Sequence, residues 1–149
     1  MKSTIRNIEL KVKRVAVGEG TEPYGASVRS PDDVSRIAQK LIGDDAQERF
    51  LVFVLDIRNR VIGYHEAGRG SIDSCPVDIR VVFRTAVALG ASSILAAHNH
   101  PSGTVTPSSE DILLTRRLKE AGELLGIPLL DHVIVTDTGT ASLRERGEL

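Results

Sequence analysis

The chain has 149 residues, 41% of them hydrophobic, which suits one domain able to bury about 70% of its unfolded surface without disulfides. Nineteen Lys and Arg stand against 20 Asp and Glu, and aromatics make up only 3%. That balance argues against a large electrostatic footprint for nucleic acid or an anionic membrane, and against a stacking platform for single strands. The single cysteine, Cys75, excludes an intramolecular disulfide and any multi-cysteine zinc site. The start lacks the apolar stretch of a signal peptide, and no 18-residue apolar run occurs, so the expectation is a cytoplasmic protein without a membrane segment.

In chain order, Ile8, Leu10 and Val12 alternate with Glu9, Lys11 and Lys13, the pattern of a half-exposed strand. Gly18 to Arg29 is rich in glycine and reads as a loop. A helix then starts at Ser30-Pro31-Asp32-Asp33, with Ser30 as N-cap, Pro31 at the first helical position and an apolar stripe of Val34, Ile37, Ala38, Leu41 and Ile42. Phe50 to Leu55 is a continuous apolar run too short for a helix, and so a central strand buried on both faces. A second strand is expected around Val61 to Ala67. Ile79, Val82, Phe83 and Ala86 mark one helical face that ends at Gly90.

Ser93 to Ala97 reads as a small-residue strand leading straight into His98. After a Pro/Gly/Ser loop over 101–107, Ile112 to Leu125 has the strongest helical pattern, stopped by Gly126. Val133 to Val135 is a last clear strand, followed by a polar tail from Arg144. Interleaved strands and helices predict an α/β domain, a central mixed sheet with helices packed on it.

The chemistry concentrates at His98-Asn99-His100. Residues i and i+2 of an extended chain point to one face, so both imidazoles can converge on one ion. Pro101 biases His100 away from helix. Asp111 follows eleven residues after His100, in the first turn of the next helix. Two histidines and a carboxylate form a catalytic zinc set with a fourth position open to water, whose pKa zinc lowers to about 7. A structural reading stands beside it: Ser108-x-x-Asp111 is a capping-box variant, worth about 1 kcal/mol as a cap.

His98-x-His100, seven residues, Ser108, two residues, Asp111 resembles the H-x-H-x7-S-x2-D pattern, called JAMM, of the JAB/MPN metallopeptidases. The fuller string His98-Asn99-His100-Pro101-Ser102-Gly103, with Pro107-Ser108 and Asp111, is similar to the RadC branch. The likeness continues through Leu114 to Gly122 and Asp131-His132-Val133-Ile134-Val135, from roughly Ser30 onward. It implies a cytidine-deaminase-like architecture, a zinc ion held by His98, His100 and Asp111, an oxyanion contact from Ser108 and an upstream glutamate as general base. Glu48 and Glu66 are the two choices. Glu48, at the entry to the Phe50–Leu55 run, is preferred as base; Glu66 reads as a solvated surface charge.

Two departures from the family stand out. Longer RadC relatives carry a helix-hairpin-helix region, for which residues 1–149 as one JAB/MPN domain leave no room. Where the family usually has Pro-Arg-Glu after the position of Asp78, this chain has Ile79-Arg80-Val81.

Among other residues, His132 reads as a hydrogen-bonded structural histidine in preference to a substrate contact, and His65 as surface. Cys75 lacks the partners of a zinc deaminase signature and reads as a small thiol. Arg116, Arg117 and Lys119, offset by Glu120 and Glu123, read as a solvated helix face. The leading functional expectation is a zinc metallopeptidase or isopeptidase acting on an amide bond in a protein or peptide. The alternatives are a DNA-repair-associated accessory and a non-catalytic binding module on the same fold.

Overall fold

A computed structural model describes Lys11, residues 27–70 and residues 76–149. The expected strand over 8–13, the loop from Gly18 to Ala26 and Cys75 lie outside the described residues, apart from Lys11. The elements run α1 (Pro31–Ile42), β1 (Arg49–Leu55), β2 (Val61–Arg69), α2 (Ile79–Ala88), β3 (Ser93–Asn99), α3 (Ser109–Leu125), β4 (Leu129–Val135) and β5 (Thr140–Ser142). One five-stranded mixed sheet has the order β2-β1-β3-β4-β5. Among the described residues only β3 and β4 pair in parallel, joined by the crossover through α3. Together the described residues make a small α/β domain with three helices, as expected from the interleaved pattern.

Strand periodicity sorts the core into two layers. Leu51, Phe53, Leu55, Leu95, Ala97, Val133 and Val135 pack with Val34, Ala38 and Ile42 of α1. Phe50, Val52, Ile94 and Ala96 pack on the other face with Val82, Phe83 and Ala86 of α2 and Leu118 of α3. Both faces are covered, which is why β1 is an unbroken apolar run. On β3 the even-numbered residues therefore face α2 and α3. His98 continues that series from Ile94 and Ala96, and Asn99 belongs to the opposite face.

Helix ends follow local chemistry. At α1 the Asp33 carboxylate accepts from the N–H groups of Arg29 (2.8 Å) and Ser30 (3.1 Å). At α2 the Asp78 side chain accepts from Arg80 N at 2.8 Å. Helix α2 closes one residue earlier than expected, with Leu89 as cap and Gly90 just beyond it at φ +63°. Gly126, at φ +69°, ends α3 and turns the chain toward β4.

Three boundaries differ from the sequence pattern. Helix α3 begins at Ser109, three residues before its apolar stripe, because a polar first turn carries the cap. Strand β4 begins at Leu129 and not Val133, since the buried pair Asp131-His132 interrupts the apolar run while staying hydrogen-bonded inside the sheet. The three-residue β5, in the stretch leading to the polar tail, carries too short a pattern to be read. No helix among the described residues is long and apolar enough to cross a membrane.

Candidate metal centre

His98 sits at the end of β3, 1% exposed, opposite Phe50 in the β1–β3 register. The two rings stack with centroids 5.9 Å apart, so packing sets the plane of the imidazole. His100 lies just past the strand, its N–H donating to Val135 O at 3.1 Å. Its Nδ1 lies 2.8 Å from the Thr104 carbonyl. A carbonyl only accepts, so the Nδ1 proton is committed there and the Nε2 lone pair points the other way.

That nitrogen faces two partners, and His98 Nε2 brings in the rest of the cluster. His100 Nε2 stands 2.9 Å from His98 Nε2 and 3.2 Å from Asp111 Oδ2. Asp111 Oδ1 is 3.2 Å from His98 Nε2. Glu48 Oε1 lies 4.0 Å from the same His98 nitrogen. Glu48, His98, His100 and Asp111 each offer one ligand atom, all within 4.8 Å of one another, in a group able to hold a metal ion. Tetrahedral ligands about 2.0–2.1 Å from a zinc ion stand about 3.3 Å apart. The spacing of the two imidazoles and Asp111 thus fits the donor set of an ion of that size.

The capping and ligand readings of Asp111 are not alternatives. Its Oδ2 accepts from Ser108 N at 2.8 Å while Ser108 Oγ accepts from Asp111 N at 3.1 Å, a complete capping box. The same carboxylate presents both oxygens to the imidazoles. Burial opposes its charge, but the neighbouring His100 and His98 imidazoles and the Ser108 N–H outweigh it and hold the carboxyl far below the usual carboxylate range. His100 is raised in turn, chiefly by its hydrogen bond to Asp111.

Glu48 precedes β1, and its segment is tied down by Asn99, the residue between the two histidines. Asn99 Oδ1 accepts from Arg49 N (2.7 Å), while Nδ2 donates to Asp45 O (3.1 Å) and Gln47 O (2.9 Å). Asn99 is fully buried, and this clamp carries Glu48 to the cluster. Sequence reasoning missed the role. Its one signal is an amide on the opposite strand face from two ligand-type residues.

Other residues resolve differently from expectation. Glu66 is not a solvated charge: it pairs with Arg49 (3.1 Å) and Arg69 (2.9 Å). His65 is half-buried on β2, with Nε2 donating to Val81 O at 3.2 Å, and burial pushes its pKa down. His132 is fully buried and hydrogen-bonded, as expected, with Nε2 2.7 Å from His98 Nδ1 and Nδ1 2.6 Å from Thr115 Oγ1. Arg116, Arg117, Lys119, Glu120 and Glu123 lie exposed along α3.

Residues 28–148 match the family model described as the RadC-like JAB domain. The chain belongs to the RadC-like JAB family. Among its relatives, a UPF0758 protein of Staphylococcus haemolyticus is 47% identical over 120 residues, 80% of this chain and 53% of that one. A UPF0758 protein of Caldanaerobacter subterraneus subsp. tengcongensis is 42% identical over 127 residues, 85% and 54% of the two chains. One from Finegoldia magna is 41% identical over 143 residues, 96% and 63%. The chain spans about half the length of the first two RadC-like relatives, and the names of all three state no activity.

Proposed function

We propose that this RadC-like domain is a zinc-dependent peptidase or isopeptidase that hydrolyses an amide bond in a protein or peptide. The observation that carries it is the convergence of His98 Nε2, His100 Nε2 and both Asp111 oxygens, with the Glu48 carboxylate 4.0 Å from His98. Zinc bound by these ligands would act as a Lewis acid and make hydroxide available at neutral pH.

The chain's own groups supply the rest. Glu48, outside the three-ligand set but beside it, is suited to take a proton from the attacking water and return it to the leaving amine. Its clamp by Asn99 favours this, since a base must hold its place through both transfers. The Ser108 hydroxyl spends a lone pair on Asp111 N, so its own proton is free to be donated to a developing oxyanion. The near-zero formal charge of −1 favours a protein or peptide substrate over a nucleic acid.

The test pairs elemental analysis with mass spectrometry of candidate isopeptide and peptide substrates. The expectation is one zinc per chain, lost in His98→Ala together with turnover. Equal, substoichiometric zinc in wild type and His98→Ala removes the proposal.

A further inference from the structure

His98 is a ligand to the proposed ion only if its proton sits on Nδ1, and nothing in the cluster itself decides that. The decision is made one layer deeper, in residues the proposed reaction does not use. Thr115, 0% exposed, has a single hydroxyl proton, and its Oγ1 lies 2.6 Å from the backbone carbonyl of Asp111. A carbonyl cannot donate, so Thr115 gives its proton there. The contact between Thr115 Oγ1 and His132 Nδ1 at 2.6 Å must then run the other way, with His132 donating.

His132 is itself 0% exposed. Its ring meets Thr115, His98 and the Phe50 edge, the last with centroids 5.2 Å apart, and no carboxylate hydrogen-bonds it among the described residues. A ring with no exposed atom and no carboxylate partner carries a single N–H. With that proton on Nδ1, Nε2 is an acceptor. The 2.7 Å contact to His98 Nδ1 is therefore donated by His98, and the His98 lone pair is left on Nε2, the atom facing Asp111 and His100.

We infer that His132 and Thr115 are positioning residues that set the tautomer and ring plane of His98, so that its Nε2 lone pair is presented to a metal ion. The hydrogen bonds run from the Asp111 carbonyl through Thr115 and His132 to His98, whose Nε2 lone pair then faces the Asp111 carboxylate, so that one chain links two proposed ligands from different elements. Strand geometry makes this available: Ala96 and His132 are register partners on the parallel pair β3–β4, which sets His132 one pleat from His98 on the α3 side.

This inference rests on the metal-site reading above, and the experiments separate the two. The chain has only four histidines, His65, His98, His100 and His132, so long-range ¹⁵N–¹H spectra of the metal-free full chain are readily assigned. His132 is expected to carry its proton on Nδ1; a proton on Nε2 overturns the inference whatever the protein binds. Zinc affinity, read by chelator competition, gives the second measure. His132→Leu is expected to bind zinc about 10–100-fold more weakly than wild type, as for loss of an outer-shell partner. His132→Gln, which returns an amide oxygen as acceptor, is expected to recover much of that loss.

Thr115 decides the matter if His132→Leu does not fold. Thr115→Val leaves His132 free to reverse its tautomer and is expected to weaken zinc about tenfold or more, with Thr115→Ser restoring it. Unchanged affinity in Thr115→Val, or in a folded His132→Leu, overturns the inference while leaving the metal site standing. A wild type that takes up no zinc overturns the metal-site reading instead, and the His132 tautomer still decides the relay.

Discussion

Glu48 and Glu66 stand at the same end of neighbouring strands, and what surrounds them differs. Glu66 pairs with Leu51 across the β1–β2 register and is held by two arginines, Arg49 and Arg69. Glu48, one residue before β1, has its carboxylate beside His98, while its carbonyl accepts from Gly70 N at 2.9 Å. A carboxylate locked between two guanidiniums is a poor proton carrier, because both partners favour its charged form. Glu66 reaches the proposed base only at second hand, through Arg49, the residue that follows Glu48.

The largest effect tests that contrast head on. Glu48→Gln is expected to keep zinc and fold while turnover falls about 10²–10⁴-fold. Glu66→Gln should leave turnover close to wild type. A zinc-loaded but inactive Glu66→Gln beside an active Glu48→Gln would reverse the assignment.

Ser108 sharpens the comparison from the α3 side of the cluster. Ser108→Gly is expected to lower the rate about 10²–10³-fold, the usual cost of one oxyanion donor, while stability drops by only a few tenths of a kcal/mol. Full activity in that variant would leave Ser108 as a cap alone. A third measurement concerns the clamp. Asn99→Ala strips three hydrogen bonds from the Asp45–Arg49 segment, and chemical denaturation should show a loss of about 1–3 kcal/mol together with reduced turnover. Wild-type turnover in Asn99→Ala would mean that Glu48 needs no clamp.

The smallest effect is the acid dependence of the Glu66 pairs. Burial opposes the Glu66 charge, but hydrogen bonds from Arg69 and Arg49 outweigh it and lower its pKa from 4.5. The unfolded chain therefore binds the proton more readily than the folded one as pH falls. The stability Glu66 contributes is present above pH 4.5 and fades as pH drops through the folded value. Melting curves of Glu66→Gln and wild type should differ by no more than about 1 kcal/mol at neutral pH and converge in acid.

Much of the cluster was legible because its signals are local. The i, i+2 spacing of His98 and His100 needs only an extended chain, and Ser108 and Asp111 need only a helix start. Glu66 and His65 were misread for the opposite reason: whether a polar side chain on a strand is solvated depends on what crosses over it. For Glu66 that is Arg49 and Arg69, and for His65 it is the Val81 carbonyl of α2. Strand β4 was half-seen because hydropathy marks burial, and Asp131 and His132 are buried polar residues whose hydrogen bonds remove the usual penalty. Asp131, for instance, accepts from His132 N and Ser142 Oγ at 2.7 and 2.6 Å.

The sequence by itself determined the α/β class, the doubly covered β1, the helix caps and the spacing of His98, His100 and Asp111, the proposed ligand set. Each is written in the order of neighbouring residues, within one strand pleat or one helical turn. Only the tertiary structure decided which glutamate reaches the cluster, why an asparagine separates the histidines, and which buried side chain meets the His98 ring from behind. Those depend on strand register and on the α3 crossover, which bring residues 34 and 50 positions apart into hydrogen-bond contact. A hydrogen bond of that range leaves no periodicity in the sequence, because its geometry is set by the packing of whole elements.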